Sequence, residues 1–189
     1  QTQRDWTALS AKADSDITQA AKIADTAEER AFVEAARIAM QIDLGFSDVV
    51  TPAPVDLIYP TILDQPAPRL IAYNRETAIA EKCEAMVTLG ELNSRMKDFF
   101  DIWSLAGSQS FDGLILSKAV ANTFERRNTP KETDAACFSN SFGNSPEKQK
   151  QWRAFTKRSQ LTGHVPVAFV NVWRVVTEFL RPMLADSGV

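Results

Sequence analysis

The sequence predicts an α+β chain that is mainly helical, with a small mixed sheet over about residues 37–73 packed on a C-terminal helical bundle. Three observations carry that expectation. Apolar residues alternate with period two from Arg37 to Phe46. Five of the nine prolines crowd into residues 51–68. From Arg75 onward apolar residues recur at helical spacing. A chain of 189 residues, 44% hydrophobic and 24% charged, is long enough for a proper core.

In chain order, residues 7–36 are rich in alanine. Ile17, Ala20, Ala21, Ala24, Ala27, Ala31 and Ala35 recur at helical spacing, which predicts an N-terminal helical segment over 1–36, ahead of a second region over 37–189. Next, Ile38, Met40, Ile42, Leu44 and Phe46 form one face of a strand, with Asp43 on the other beside Gln41. Pro52, Pro54, Pro60, Pro66 and Pro68 each lack a backbone donor, so residues 51–68 read as an irregular or extended connection. Arg69–Tyr73 reads as a short strand, and Asn74 as the cap of a helix running to about Leu89. Ile79, Cys83, Met86 and Gly90 form its inner stripe, and Lys82 borders it. Ser94 reads as the cap of a helix from Arg95 to about Ala106. That helix is apolar on most sides yet carries Asp98 and Asp101. Unpaired buried carboxylates cost several kcal/mol, so partners for both are required. Further helices are expected near 112–126, 146–158 and 166–184.

Charge and composition narrow the chemistry. The net charge is −3, but residues 1–50 carry five basic and nine acidic side chains, and residues 151–189 five basic and two acidic. Any polyanion contact is therefore expected near the C-terminus. Cys83 and Cys137 are too few for a four-ligand zinc site or a disulfide scaffold, and read as two free thiols in a reducing compartment. No apolar run approaches the ~20 residues of a membrane span. No secretory signal opens the chain, and Gln1 in place of Met suggests a trimmed start. A cytoplasmic location without a membrane partner is expected. His164 is the sole histidine, which excludes histidine triads and multi-histidine metal sites. The first glycine is Gly45, so no phosphate-cradling glycine loop can precede it.

Carboxylate and lysine chemistry remains: Asp43 on a strand, Lys82 on one helix, Asp98 and Asp101 on the next. That combination suits nucleotidyl transfer, in which carboxylates hold magnesium and a lysine adds positive charge where triphosphate charge gathers. A further aspartate can take the acceptor proton. Structural readings stand beside this one. Lys82 could lay its stem along apolar surface, Asp98 and Asp101 could pair with Arg95, Lys97 or Lys82 as a network, and Asp43 could be solvated. The basic run Lys148, Lys150, Arg153, Lys157 and Arg158, interleaved with Trp152 and Phe155, could touch RNA phosphates or form a solvated helix face.

The order of short motifs adds a resemblance. Met40-Gln-Ile-Asp-Leu-Gly-Phe-Ser-Asp48, Thr51-Pro-Ala-Pro54, Tyr59-Pro60 and Leu63-Asp-Gln-Pro-Ala-Pro-Arg-Leu70 come first. Arg75-Glu-Thr77, Ala80-Glu-Lys-Cys-Glu-Ala85 and Asn93-Ser-Arg-Met-Lys-Asp-Phe-Phe-Asp-Ile-Trp103 follow, then Thr123-Phe-Glu-Arg-Arg127 and Gln151-Trp-Arg-Ala-Phe155. Over about residues 37–158 this series resembles the AbiEii/AbiGii-type nucleotidyltransferase toxins of toxin–antitoxin or phage-defence systems. The resemblance implies a nucleotidyltransferase-like fold that moves a nucleoside monophosphate from an NTP to an acceptor such as tRNA, with Mg2+ as cofactor and a cognate antitoxin protein as partner. It implies that Lys82 and Asp98 are catalytic, that Lys82, Arg95 and Asp101 bind the nucleotide, and that Asp43 is a metal ligand. The family's upstream glycine loop and Asp-x-Asp pair are not recognisable. Asp14-Ser-Asp16 has the letters without the glycine, and Asp5-Trp-Thr7 is an equally poor substitute. The chain therefore reads as the downstream part of such a protein, of uncertain activity by itself. The alternative is a non-catalytic or truncated relative that binds RNA or an antitoxin.

Overall fold

The computed structural model describes residues 49–61 and 66–185, which lie in one compact unit, Phe46–Val189. The N-terminal helical segment, the strand carrying Asp43 and both Asp-x-Asp candidates lie outside the described residues.

Two short strands, β1 (Val55–Ile58) and β2 (Arg69–Ala72), pair antiparallel, with Val55 opposite Ala72 and Ile58 opposite Arg69. β2 falls where the sequence placed it. β1 lies within the stretch read as an irregular or extended connection and is an extended part of it. Pro54 and Pro60 flank the four residues and remove no ladder donor from within them. The Tyr59 amide then donates to the Pro68 carbonyl at 2.9 Å, extending the pairing. Both strands are exposed among the described residues, Ile71 at 80%.

The chain before β1 is tied to the helices instead. The Thr51 amide donates to Thr77 Oγ1 (2.9 Å), Thr77 Oγ1 donates back to the Thr51 carbonyl (3.0 Å), and Asn122 Nδ2 donates to Thr51 Oγ1 (2.8 Å). Asn74 caps helix α1 (Arg75–Leu89), its Oδ1 accepting from the Thr77 amide at 2.8 Å, while its Nδ2 reaches the Pro52 carbonyl. The expected cap and both ends of this helix are as read from sequence.

A 3-10 turn, Gly90–Leu92, leads to helix α2 (Met96–Ser108). Gly90 has φ +51°, a conformation L side chains rarely adopt. Ser94 does not cap α2; Asn93 Oδ1, one residue earlier, accepts from the Arg95 amide at 2.9 Å. Helices α3 (Gly113–Arg127), α4 (Asn140–Gly143), α5 (Pro146–Arg158) and α6 (Phe169–Ala185) follow. α5 starts as its sequence dictates, with Ser145 Oγ accepting from the Lys148 amide and Pro146 opening the helix.

The core is largely aromatic. Phe99 of α2 meets Phe169 of α6 edge to face at 5.2 Å and Phe142 of α4 at 5.8 Å. Trp152 of α5 is fully buried at 6.0 Å from Phe169, and its Nε1 donates to the Pro166 carbonyl at 2.9 Å. Gly143 lies against the Trp173 ring so closely that any Cβ would collide with it. On α2, Met96, Phe99 and Ile102 are buried, and Phe100, Trp103 and Leu105 are partly buried against the core. That packing brings the carboxylates of α2 against α1.

Candidate active site

Asp98 and Asp101 stand three residues apart on α2, hence on one face. Lys82 on α1 reaches both: Nζ lies 2.7 Å from Asp98 Oδ1 and 2.8 Å from Asp101 Oδ2. Lys97 also meets Asp101 Oδ2, at 2.6 Å, one turn away on the same helix. The side chains of Lys82, Asp98 and Asp101 are 23%, 13% and 19% exposed, so the cluster is sheltered but open to a ligand. Burial alone would lower the Lys82 ammonium. Its hydrogen bonds to Asp101 and Asp98, with the charge of both carboxylates, outweigh burial and raise it above the ordinary lysine value. Lys82 therefore stays charged at neutral pH. Asp98 sits in the first turn of α2, where the helix dipole favours a negative charge.

Asp98 also lines a cleft of about 440 Å3 between the start of α2 and α5. Ser94, Arg95, Met96 and Lys97 form one wall; Gln151, Ala154, Phe155 and Arg158 form the other. The cleft joins segments more than fifty residues apart. It places Arg158, read from sequence as an RNA contact, beside Asp98 and Arg95. Arg95 lines the cleft rather than the lysine cluster. Gln151, Ala154 and Phe155 were not singled out as site residues. Their spacing with Arg158, at i, i+3, i+4 and i+7, was the available signal.

The basic run on α5 divides. Lys150, Arg153, Lys157 and Arg158 are exposed. Lys148 is buried, 7% exposed. Its Nζ donates to the carbonyls of Glu91 (2.8 Å) and Asn93 (2.7 Å) and lies 4.6 Å from the centre of the Phe142 ring. The expected RNA contact at Lys148 is thereby corrected. Its amine braces the turn before α2, because Trp152 and Phe155 turn that side of α5 into the core. Burial lowers its ammonium despite the nearby charges of Glu147 and Glu91.

A second acid–base group joins α1 to α3. Glu84 accepts from Arg127 Nη1 (2.7 Å), Thr88 Oγ1 (2.7 Å) and Thr129 Oγ1 (2.6 Å). Burial works against the Glu84 charge, but the bonds from Thr129, Arg127 and Thr88 prevail and hold the carboxyl below the usual range. The two cysteines are free and buried. Burial raises both thiols, Cys137 to about 12, so neither is a nucleophile.

Among the described residues no three histidine, cysteine, aspartate or glutamate side chains converge to hold a metal ion, and Asp98 and Asp101 both bind Lys82. Asp43 lies outside the described residues. Among the described residues no helix is long and apolar enough to cross a membrane.

The chain is mainly helical α+β and sets a charged lysine between two carboxylates, beside a cleft lined by Arg95, Lys97 and Arg158, which is consistent with a nucleotidyltransferase-like fold. A family model described as "Nucleotidyl transferase AbiEii toxin, Type IV TA system" matches residues 3–169. The chain belongs to the AbiEii nucleotidyltransferase toxin family, and its type IV toxin–antitoxin setting implies an antitoxin counterpart. The matched stretch takes in residues 3–36 as well as the motif series from residue 37 on. No curated protein and no solved structure matches the chain.

Proposed function

We propose that this protein transfers a nucleoside monophosphate from an NTP to an acceptor hydroxyl, with tRNA as the acceptor class, as the toxic activity of a toxin–antitoxin or phage-defence system. The observation that carries the reading is the Lys82 ammonium held between Asp98 and Asp101, with Asp98 also facing the cleft. In the reaction the acceptor oxygen attacks the α-phosphorus, the bond to the β-phosphate oxygen breaks, and pyrophosphate leaves. Lys82 places positive charge where phosphate charge builds, in a site partly withdrawn from water. Asp98 Oδ1 holds Lys82, and Oδ2 has no hydrogen bond among the described residues and takes the hydroxyl proton. Asp101 keeps Lys82 charged and aimed, and Arg95 adds a cation at the cleft. A divalent ion such as magnesium would further neutralise the phosphates.

The test is label transfer. The chain is incubated with magnesium, each α-labelled NTP in turn and total tRNA, beside Lys82→Ala and Asp98→Ala. Transfer by the parent that falls at least ~100-fold in both variants supports the reading. No transfer from any NTP, under conditions where the chain melts cooperatively, overturns it in favour of a binding-only relative.

A further inference from the structure

We propose that Lys148 is a positioning residue for the reaction: from α5 it fixes the turn ahead of α2, and through that turn the places of Arg95 and Asp98. The kinetic consequence rests on the nucleotidyl-transfer reading; the placement rests on hydrogen bonds and burial. The turn has little of its own to hold it. Between Met86 of α1 and Met96 at the start of α2, Asn93 alone is buried among these described residues. Gly90–Leu92 buries no side chain, and Leu92 is 86% exposed. Apolar burial, which seats the helices on either side, is missing there.

Polar anchors take its place. Lys148 Nζ donates to two carbonyls of the turn, Glu91 at 2.8 Å and Asn93 at 2.7 Å. Asn93 passes the constraint on: its Oδ1 accepts from the Arg95 amide at 2.9 Å, and the Arg95 carbonyl accepts from the Asp98 amide at 3.0 Å. A chain of hydrogen bonds thus leads from the Lys148 amine to the first turn of α2. The helix that carries Lys148 also carries the opposite wall of the cleft, through Gln151, Ala154, Phe155 and Arg158. Trp152 and Phe155 seat α5 in the core, so Lys148 lends the rigidity of the core to a turn that packing does not hold. Lysine suits the task. One ammonium has donors enough for both carbonyls, and its charge lies 4.6 Å from the centre of the Phe142 ring. The middle of α2 needs no such help. Phe99 and Ile102 are fully buried there, beside Asp101, which meets Lys82 at 2.8 Å. Loss of the Lys148 amine should therefore displace Arg95 and Asp98 and leave the Asp101–Lys82 pair in place.

The experiment removes the amine and puts it back. Lys148 lines a cavity of about 190 Å3 with Glu91, Ser141, Phe142 and Ser145, which gives a small amine a way into the space that Lys148→Ala leaves. Label transfer by the full chain is measured with and without ethylammonium. Tetramethylammonium, which has the charge but no donor, is the control. Lys148→Ala is expected to lower kcat about 10- to 100-fold and to change KM for NTP by less than about twofold. Ethylammonium should restore kcat and tetramethylammonium should not. Amide NMR spectra of the same samples read the placement without catalysis. The Arg95 and Asp98 resonances should move, return with ethylammonium, and leave those of α3 and α6 unshifted. If Lys148→Ala does not melt cooperatively, Lys148→Met carries the rate and NMR measurements. Parental kcat in the variant would overturn the proposal, as would Arg95 and Asp98 resonances that stay at their parental positions. The two failures separate. A parent that transfers no label, with Arg95 and Asp98 resonances that follow the amine, sinks nucleotidyl transfer and leaves the placement standing. Transfer that is indifferent to the amine does the reverse.

Discussion

Lys82 and Lys148 are both withdrawn from water, and the folded protein moves their affinities for a proton in opposite directions. Lys82 faces two carboxylates across α1 and α2. Lys148 faces two backbone carbonyls and a phenyl ring. Neutral acceptors satisfy the hydrogens of Lys148 but do not repay the loss of hydration, so burial prevails; carboxylates reverse that balance at Lys82. The difference separates a support from a site. Lys148 has its partners inside the fold and holds the Gly90–Arg95 turn, while Lys82 sits in a half-open cluster whose carboxylate also faces a cleft. Glu84 belongs with Lys148: three donors surround it, and it joins helices rather than awaiting a ligand.

The sharpest break in that comparison is in activity. Lys82→Ala should lower label transfer at least ~100-fold, measured as initial rate at saturating NTP, with far less effect on the melting temperature. A melting temperature that collapses with the activity would make Lys82 a support like Lys148. The next effect is in stability. Lys148→Met strands the carbonyls of Glu91 and Asn93, and should cost about 2–3 kcal/mol in urea unfolding. A neutral result would mean that water replaces the amine there.

The pH dependence should also split. Lys82 is held above the ordinary 10.5, so the folded state keeps its proton longer than the unfolded chain. The stability it contributes is present below pH 10.5 and is lost as pH rises through its higher folded value. Lys148 is held below 10.5, so the unfolded chain binds more protons between its folded value and 10.5, and stability rises with pH there. Melts of Lys82→Met and Lys148→Met across alkaline pH should each remove one of these opposing slopes. The smallest effect belongs to Lys97, 71% exposed beside Asp101. Lys97→Ala should change unfolding free energy by no more than about 0.5 kcal/mol, and a larger loss would show that Asp101 needs both lysines.

Residues 75–158 show how far local signals reach. The Asn74 cap, the ends of α1 and the start of α5 at Ser145-Pro146 follow from one residue's hydrogen bonding or fixed φ, so they were legible. The demand that Asp98 and Asp101 find partners was legible too, from two acids on an apolar helix. Which cation would answer was not: Arg95 and Lys97 lie within a turn of an acid on the same helix, and Lys82 lies on another. Lys82 answers both, Lys97 adds to Asp101, and Arg95 turns to the cleft. Lys148 looked like its exposed neighbours because a run of cations carries no mark of which member faces a carbonyl.

By itself, then, the sequence determined the succession of the longer helices, the motif order that marks the family, and the need of Asp98 and Asp101 for partners, because periodicity, caps and motifs act over a few residues. Only the tertiary structure decided that Asp98 is shared between a lysine cluster and a cleft, that Arg158 and Gln151 form the far wall, and that Lys148 is a brace. Those outcomes depend on how α1, α2 and α5 pack about Phe99, Trp152 and Phe169, and packing joins residues that no local pattern connects.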